Sequence, residues 1–511
     1  MSFKILILFV LVFFCELVDA QKLVEINFIN ANRLFTTENL GPDIKVFAGE
    51  VCFQQDSSYF YCDSALYNSS QKTIEAFGNI VIQRLHNYDT IFIFADTLHY
   101  DGNTKIAQLR QNVRMIQDSS ELTTNYFDYN TDNKYGKYFN SGRIISGTDT
   151  LYSQIGYYFT NNKTVFFKNN VKIYSKKNRI FTDTLEHNLN RKLSYLKGPT
   201  KIVSDTTVIY AESGFFDHED NLGYLSKKTK IVNGNHSLEG DSLYYNKKKR
   251  FGQAFGNVTI IDTVETLYLK GEYGQFYEDG QRSLITKNAL LMDIVDNDTL
   301  WLHADTLYSY VDTLRDIFDT IPFRLIFAYN RVKAYKNDLQ LKCDSVVISQ
   351  LDSVFMLFGS PVIWSNNQQL YGDYIELYMS KNDPKEMYLV DNTFVGEKID
   401  SLNYNIVKAT NVKVLFKNRY VSTAIEMGSV ETLYFLQDEA DSSLIGIGKL
   451  TCDTMNIYFD KNKIQLLTPY IKPKGKIYPP KDLPQEQRKI EGFKWFEAIR
   501  PKNKNDVFVW P

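Results

Sequence analysis

The sequence predicts an all-β chain, an elongated, solenoid-like stack of about a dozen two-stranded repeats of ~29 residues with a short irregular or helical tail. Three observations carry this reading. The composition is that of β-sheet, 14% aromatic with 35 Tyr and 35 Phe against 12 Pro, alongside abundant Val, Ile and Thr. The stretch GDSLYYNKKKRFGQAFGNVTIID, Gly240 to Asp262, echoes ADTLHYDGNTKIAQLRQNVRMIQD, Ala95 to Asp118. Apolar positions also alternate: Val171 and Ile173 share one face while Lys172 and Tyr174 share the other, a period of two rather than 3.6.

At the N-terminus, Lys4 precedes the apolar run Ile5 to Phe14, and Val18-Asp19-Ala20 supplies small or medium residues before a cut at Gln21. Residues 1–20 therefore read as a secretory signal peptide. Cys15 invites a lipoprotein reading, but Phe13 and Phe14 stand where lipidation needs small residues. No later segment has the 18 consecutive apolar residues of a membrane span, so the mature chain is expected to be soluble or peripheral. Four Cys remain after cleavage, Cys52, Cys62, Cys343 and Cys452. Cys52 and Cys62 flank the polar turn Gln54 to Ser58 as opposing hairpin residues would, so they read either as a disulfide or, with the others, as buried thiols.

The repeat is anchored on an acid. From Asp241, steps of 29 lead back to Glu212, Asp183, Gln154 and Asn125, and steps of 29 and 33 reach Asp96 and then Asp63. Forward, the series continues through Glu272, Asp305, Asp344 and Asp373, with Asp453 a more isolated copy. Four residues after the anchor stands an aromatic or His: Tyr67, Tyr100, Tyr129, Tyr158, His187, Phe216, Tyr245 and Phe276. Fifteen residues after most anchors comes Gly-Asn or Gly-Pro, as in Gly78-Asn79, Gly198-Pro199 and Gly256-Asn257. Behind it runs an apolar column, Met115, Ile144, Ile173, Ile202, Ile231 and Ile260, every step 29. Each unit thus offers two short strands bounded by turns. Such a unit cannot bury its apolar face alone, so neighbours must stack and each column becomes a ladder. A residue that recurs in most units serves the unit, and the anchor acid is expected to bond turn amides.

A basic column, Arg114, Arg143, Lys172, Lys201 and Lys230, lies on the face opposite the Ile column. It reads as a solvated outer face that discourages edge pairing, with an anion-attracting stripe as the alternative. The chain changes character near Thr468, and seven Pro fall between Pro469 and Pro511. Residues 21–468 are expected to form the repeats and 469–511 a cap or partner-binding tail, with Gln485 to Ile490 as a short helix docked by Trp495 and Phe496.

No catalytic constellation emerges. The motifs HExxH, GxSxG, GxxxxGK[ST] and a dinucleotide GxGxxG are missing, and of the six His, His99 and His187 occupy repeat positions. The sequence predicts no enzyme, metal or cofactor. A net charge of −2 argues against a nucleic-acid binder.

A D-[ST]-L-x-Y half, a polar turn, then G-N-V and alternating apolar residues resembles the OstA/LptA-type domain of lipopolysaccharide transport. Ala95 to Met115, Thr182 to Ile202 and Gly240 to Ile260 carry the likeness, and residues 25 to 465 carry it more loosely. Gly492 to Trp495 followed by Arg500 to Lys502 also looks like the ending of OstA-like proteins. The resemblance implies a twisted, partly open β-jellyroll in the periplasm that holds acyl chains of lipopolysaccharide or lipooligosaccharide. It further implies edge-to-edge β-augmentation with other jellyrolls of a transport bridge. On that implication the lipid-lining candidates are Ile82, Met115, Ile144, Ile173, Ile202, Ile231 and Ile260 on one column. Leu98, Tyr100, Tyr129, Tyr158, Leu185, Phe216, Leu243 and Tyr245 are the candidates on the other. The chain is longer than the short bridge proteins of that family, and the stretch after residue 470 is expected to be too short for the barrel of the large translocon. The competing expectations are a structural or adhesive envelope β-solenoid with a close-packed core, and a polysaccharide-cleaving β-helix, for which no non-repeating pair of carboxylates stands out.

Overall fold

The computed structural model describes residues 25–510 apart from 37, 87–88, 265, 296–297, 316–319, 381–382, 439–442 and 461–462. The expected signal peptide, its expected cleavage site and Cys15 lie outside the described residues. The fold is all-β, with strands joined by antiparallel ladders and the only helical segments single 3-10 turns among the described residues. The chain forms two compact units. The first comprises the described residues up to Asp205 with Phe215–Glu219, and the second comprises Thr206–Gly214 with the residues from Asp220 onward.

One rung shows how the sequence builds the fold. Strand Thr164–Tyr174 pairs with Arg179–Asn188, with Lys168 opposite Thr184 and Val171 opposite Thr182. Between them Asn169 and Asn170, at φ 63° and 53°, oppose the single residue Asp183. This two-against-one bulge bends the strand into two arms, yet Val165, Phe167, Val171 and Ile173 all stay buried on one face. The expected pair of short strands is therefore corrected: many strands are longer and run through the corner, such as Ile44–Gln55 and Phe251–Asp262.

The corner explains the Gly-Asn signal and the anchor acid together. Gly78 and Asn79 take φ of 74° and 44°, and Gly256 and Asn257 repeat this at 70° and 47°. A Cβ on Gly78 would stand 2.4 Å from Asp63 Oδ2, so glycine lets that carboxylate lie close against the corner. The following Asn donates its side-chain amide to the anchor: Asn79 to Asp63 at 2.8 Å, Asn112 to Asp96 at 2.6 Å and Asn257 to Asp241 at 2.9 Å. The acid thus secures the corner of the neighbouring strand through a side-chain amide, where turn backbone amides were expected. The run Lys247–Arg250 is a turn between strands.

The four cysteines are thiols, all buried. Cys52 and Cys62 do not oppose each other: Cys52 faces Tyr61, and Cys62 faces Val51. An offset of one residue puts them on opposite faces of the hairpin, which removes the disulfide reading.

In the second unit the sheet continues through Lys463–Tyr470 and Lys474–Tyr478, which both pair with Leu444–Asp460. The segment from Pro479 then runs back across the unit's outer face. After the corner at Asp391 and Asn392, Thr393 and Ala409 face inward while Phe394 and Ile406 face outward. There Phe394, Ile406, Leu433, Phe435 and Ile447 form one apolar cluster with Leu483 and Ile490 of the returning segment. Further along, Gln369 Nε2 donates to Lys494 O at 2.8 Å, Arg500 Nη2 to Gln340 Oε1 at 2.6 Å, and Lys333 Nζ to Val509 O at 2.6 Å. Only Gln485–Gln487 turns helically within the expected helix. Trp495 docks on Tyr404, ring centroids 5.0 Å apart.

Candidate functional site

The inner face is built from columns that the ladders place side by side. In the first unit Ile82 and Met115 both face Ile93, Met115 and Ile144 face Leu122, Ile144 and Ile173 face Leu151, and Ile173 and Ile202 face Ile180. In the second unit Ile231 lies between Ile209 and Leu238, and Ile260 between Leu238 and Leu269. Every candidate of this column is buried, at 6% exposure or less. The intervening residues Ile93, Leu122, Leu151, Ile180, Ile209 and Leu238 form a second inward column, also spaced by 29, that the Ile column alone does not announce. They belong to the alternate strand of each repeat, and the signal lay in the same periodicity.

The other arm alternates large and small residues. Tyr100 and Tyr129 both face Ala107, and Tyr129 and Tyr158 both face Gly136. A Cβ on Gly136 would meet the Phe127 ring at 2.2 Å, so the glycine makes room for an aromatic neighbour. Leu98 faces Leu109, Leu185 faces Phe167 and Leu196, and Leu243 faces Leu225 and Ala254. Phe216 in the first unit and Tyr245 in the second are buried as well. Burial pushes the phenols of Tyr100 and Tyr245 up to about 12, so both stay neutral. Each buried aliphatic or aromatic side chain contributes about 1.5–3 kcal/mol of burial.

The two arms of the first unit come together at their tips through a seam that is polar where the rest of the inner face is apolar. Gln55, Arg84 and Gln117, all buried, stand at one lip. Tyr100 donates to Gln55 Oε1, and Gln55 Nε2 donates to Gly102 O at 3.4 Å. Arg84 Nη1 donates to Tyr129 Oη at 3.3 Å and to Thr131 O. Tyr158 donates to Gln117 Oε1 at 3.0 Å, and Gln117 Nε2 to Thr160 O at 3.0 Å. Outside these, Lys105 Nζ pairs with Asp56 at 2.9 Å and Lys163 pairs with Asp118. The partly open trough implied by the family resemblance is thus bridged here by side chains. A neutral hydrogen bond such as Tyr158 to Gln117 contributes about 1 kcal/mol net, one from the Arg84 guanidinium about 1.5–3 kcal/mol, and a part-exposed ion pair about 0–1 kcal/mol. Backbone ladders hold the walls, whereas the lips are held by these smaller terms.

Near the end of this row the polar contacts become a histidine cluster. Ser194 Oγ lies 2.9 Å from His187 Nδ1 and 2.8 Å from His218 Nε2, and Ser175 Oγ lies 3.3 Å from His218 Nδ1. Burial lowers His187 to about 3 and His218 to about 4, so both imidazoles are neutral. Ser194 is wholly buried, and a hydroxyl without access to substrate is no nucleophile. His187 does occupy an aromatic ladder position, as its spacing suggests.

In the second unit Asp262 accepts from Arg324 Nη2 at 2.7 Å and lies 3.5 Å from His236 Nδ1, all within the wall. Glu426 is 1% exposed with Oε2 unbonded, and burial raises its carboxyl well above the usual range. No group of three or more His, Cys, Asp or Glu is placed to hold a metal among the described residues. Of the basic column, Arg114 pairs with Glu121 at 2.6 Å and Lys230 with Glu239 at 2.7 Å across neighbouring outer strands. Those pairs fit the solvated outer face.

Bent two-arm rungs, stacked by antiparallel ladders around an apolar inner face, define a repetitive all-β protein with a hydrophobic interior. The chain belongs to the family of OstA-like proteins, whose model matches residues 23–183 and 197–297. Among solved structures it is similar to LptH from Pseudomonas aeruginosa, the LptA-homologous periplasmic component of the lipopolysaccharide transport device. That match has 13% identity, covers 21% of this chain and 76% of that chain, and has a TM-score of 0.19. None of the curated proteins compared matches the chain.

Proposed function

We propose that this is a secreted envelope protein of the lipopolysaccharide-transport type, whose inner face houses acyl chains during transfer toward the outer membrane. The observation that carries the reading is the run of apolar columns from Ile82 to Ile202 and from Ile209 to Ile260, within a chain of the OstA-like family. Such columns offer an acyl chain the same surface at every rung, so it exchanges one set of contacts for an equivalent one as it moves. Residues 1–20 act as its export signal, and residues 21–468 carry the transport repeats. The partners are lipopolysaccharide or lipooligosaccharide and related jellyrolls that add strands at the sheet edges. Depletion in the native host is expected to trap lipopolysaccharide short of the outer membrane. A photo-crosslinking residue at Ile173 or Ile202 is expected to capture lipid in cells, and labelling confined to Lys172 and Lys201 rejects the inner-face assignment.

A second reading, a structural β-solenoid, draws on the close packing of the interior, where the Phe60 and Tyr100 rings meet at 4.5 Å. It predicts no lipid capture at any inner position and an unchanged lipopolysaccharide distribution on depletion.

A further inference from the structure

The polar seam of the first unit has a repeating composition that packing alone does not require. The turns of one lip carry a lysine in the left-handed conformation at Lys105, Lys134, Lys163 and Lys192, with φ of 49–56°. Asn or Gly adopts that conformation more readily, so the recurrent choice of a cation is informative. This column differs from the outer Arg114–Lys230 column. Lys105 is paired across the seam with Asp56 and beside it with Asp132 at 3.3 Å, and Lys163 is paired across it with Asp118. Immediately inside, Gln55 and Gln117 tie the lips to Tyr100 and Tyr158. Behind those lies the apolar inner face, including Met115 and Ile144.

We propose that this seam is a lateral opening for an amphiphile with a phosphorylated head group, resting on the reading of the interior as an acyl-chain conduit. The lips part along the Tyr–Gln and Lys–Asp contacts while the wall ladders stay intact. Acyl chains pass to the inner face, and the head-group phosphates take over Lys105 and Lys163 from Asp56 and Asp118. The ion pairs that close the empty seam are thereby exchanged for ion pairs that hold the loaded one.

The test uses the full chain, purified lipopolysaccharide and a photo-crosslinking residue at Met115. D56N/D132N and K105Q both weaken the closed lips, but only the first leaves Lys105 available to phosphate. Capture is expected to rise severalfold in D56N/D132N and to fall at least fivefold in K105Q. Asp118→Cys with Lys163→Cys, joined by a short cleavable linker, is expected to lower capture at least tenfold, and cleavage to restore it. Cys52, Cys62, Cys343 and Cys452 are buried, so in the chain from Gln21 onward the introduced pair reacts selectively. Equal capture in the joined and cleaved forms overturns the opening, as does a shift of both charge variants in the same direction. Absence of capture in every form rejects the conduit reading itself. The seam is then decided by the lipid-free distance between nitroxides at positions 118 and 163. Lengthening in D56N/D132N supports the parting of the lips, and an unchanged distance overturns it.

Discussion

Asp63, Asp96 and Asp241 each accept the side-chain amide of a corner Asn on the next strand. The acid and the Gly-Asn pair were each legible in the sequence, but their bond, 16 residues apart, needs the corner geometry. Where one residue breaks the repeat's chemistry, a titration follows. Glu426 is held neutral by burial, whereas in the unfolded chain it ionises above about 4.3. Folding therefore takes up a proton, and stability falls as pH rises beyond that value. Glu426→Gln is expected to raise the melting temperature of the second unit by roughly 2–4 °C or more at pH 8 and to leave it unchanged near pH 3.5. Tryptophan fluorescence reads this unit alone, because Trp301, Trp364, Trp495 and Trp510 all belong to it. His187 and His218 have the opposite sign. Their folded values, about 3 and about 4, lie below the ordinary 6.5, so their contribution is complete above 6.5 and is lost as pH falls toward 4. His187→Phe is expected to make the first unit's stability less steep in pH over that window, by about 1.4 kcal/mol per pH unit for the proton removed. Calorimetry across pH 4–7 checks it, and an unchanged slope rejects it.

At the scale of elements, the bent strand replaces the expected pair of short ones. On the bulged strand the inward residues keep one parity through the corner, Val165 and Phe167 then Val171 and Ile173, whereas on its partner, one residue shorter there, parity flips from Ile180 to Leu185 and His187. The periodicity was legible, but the continuity of the strand through the corner was not. The returning segment after Pro479 was legible only as a change in composition. Its place on Phe394, Ile406, Leu433 and Phe435 follows from outward apolar residues that no repeat column announces. Leu483→Ala removes a side chain that is 2% exposed and is expected to cost about 2–5 kcal/mol in the second unit, measured by denaturant unfolding. Truncation before Pro479 is expected to expose the whole patch and bind a hydrophobic dye, while the first unit's melting stays unchanged.

At the scale of the whole molecule, the sequence by itself determined the all-β class, the repeat length, the inward columns and the family. Each of these depends on spacing along the chain, and a 29-residue period writes such spacing many times over. Tertiary structure alone decided what stands opposite what. The seam joins Gln55 to Tyr100 and Gln117 to Tyr158, separations of 45 and 41 residues that match no multiple of the repeat. It decided likewise that Cys52 and Cys62 lie on opposite faces and that the final segment covers an outer wall. The reason is physical. Burial and strand alternation are local preferences that one sequence position can reveal, whereas a hydrogen bond across two arms depends on the bend that brings their tips together.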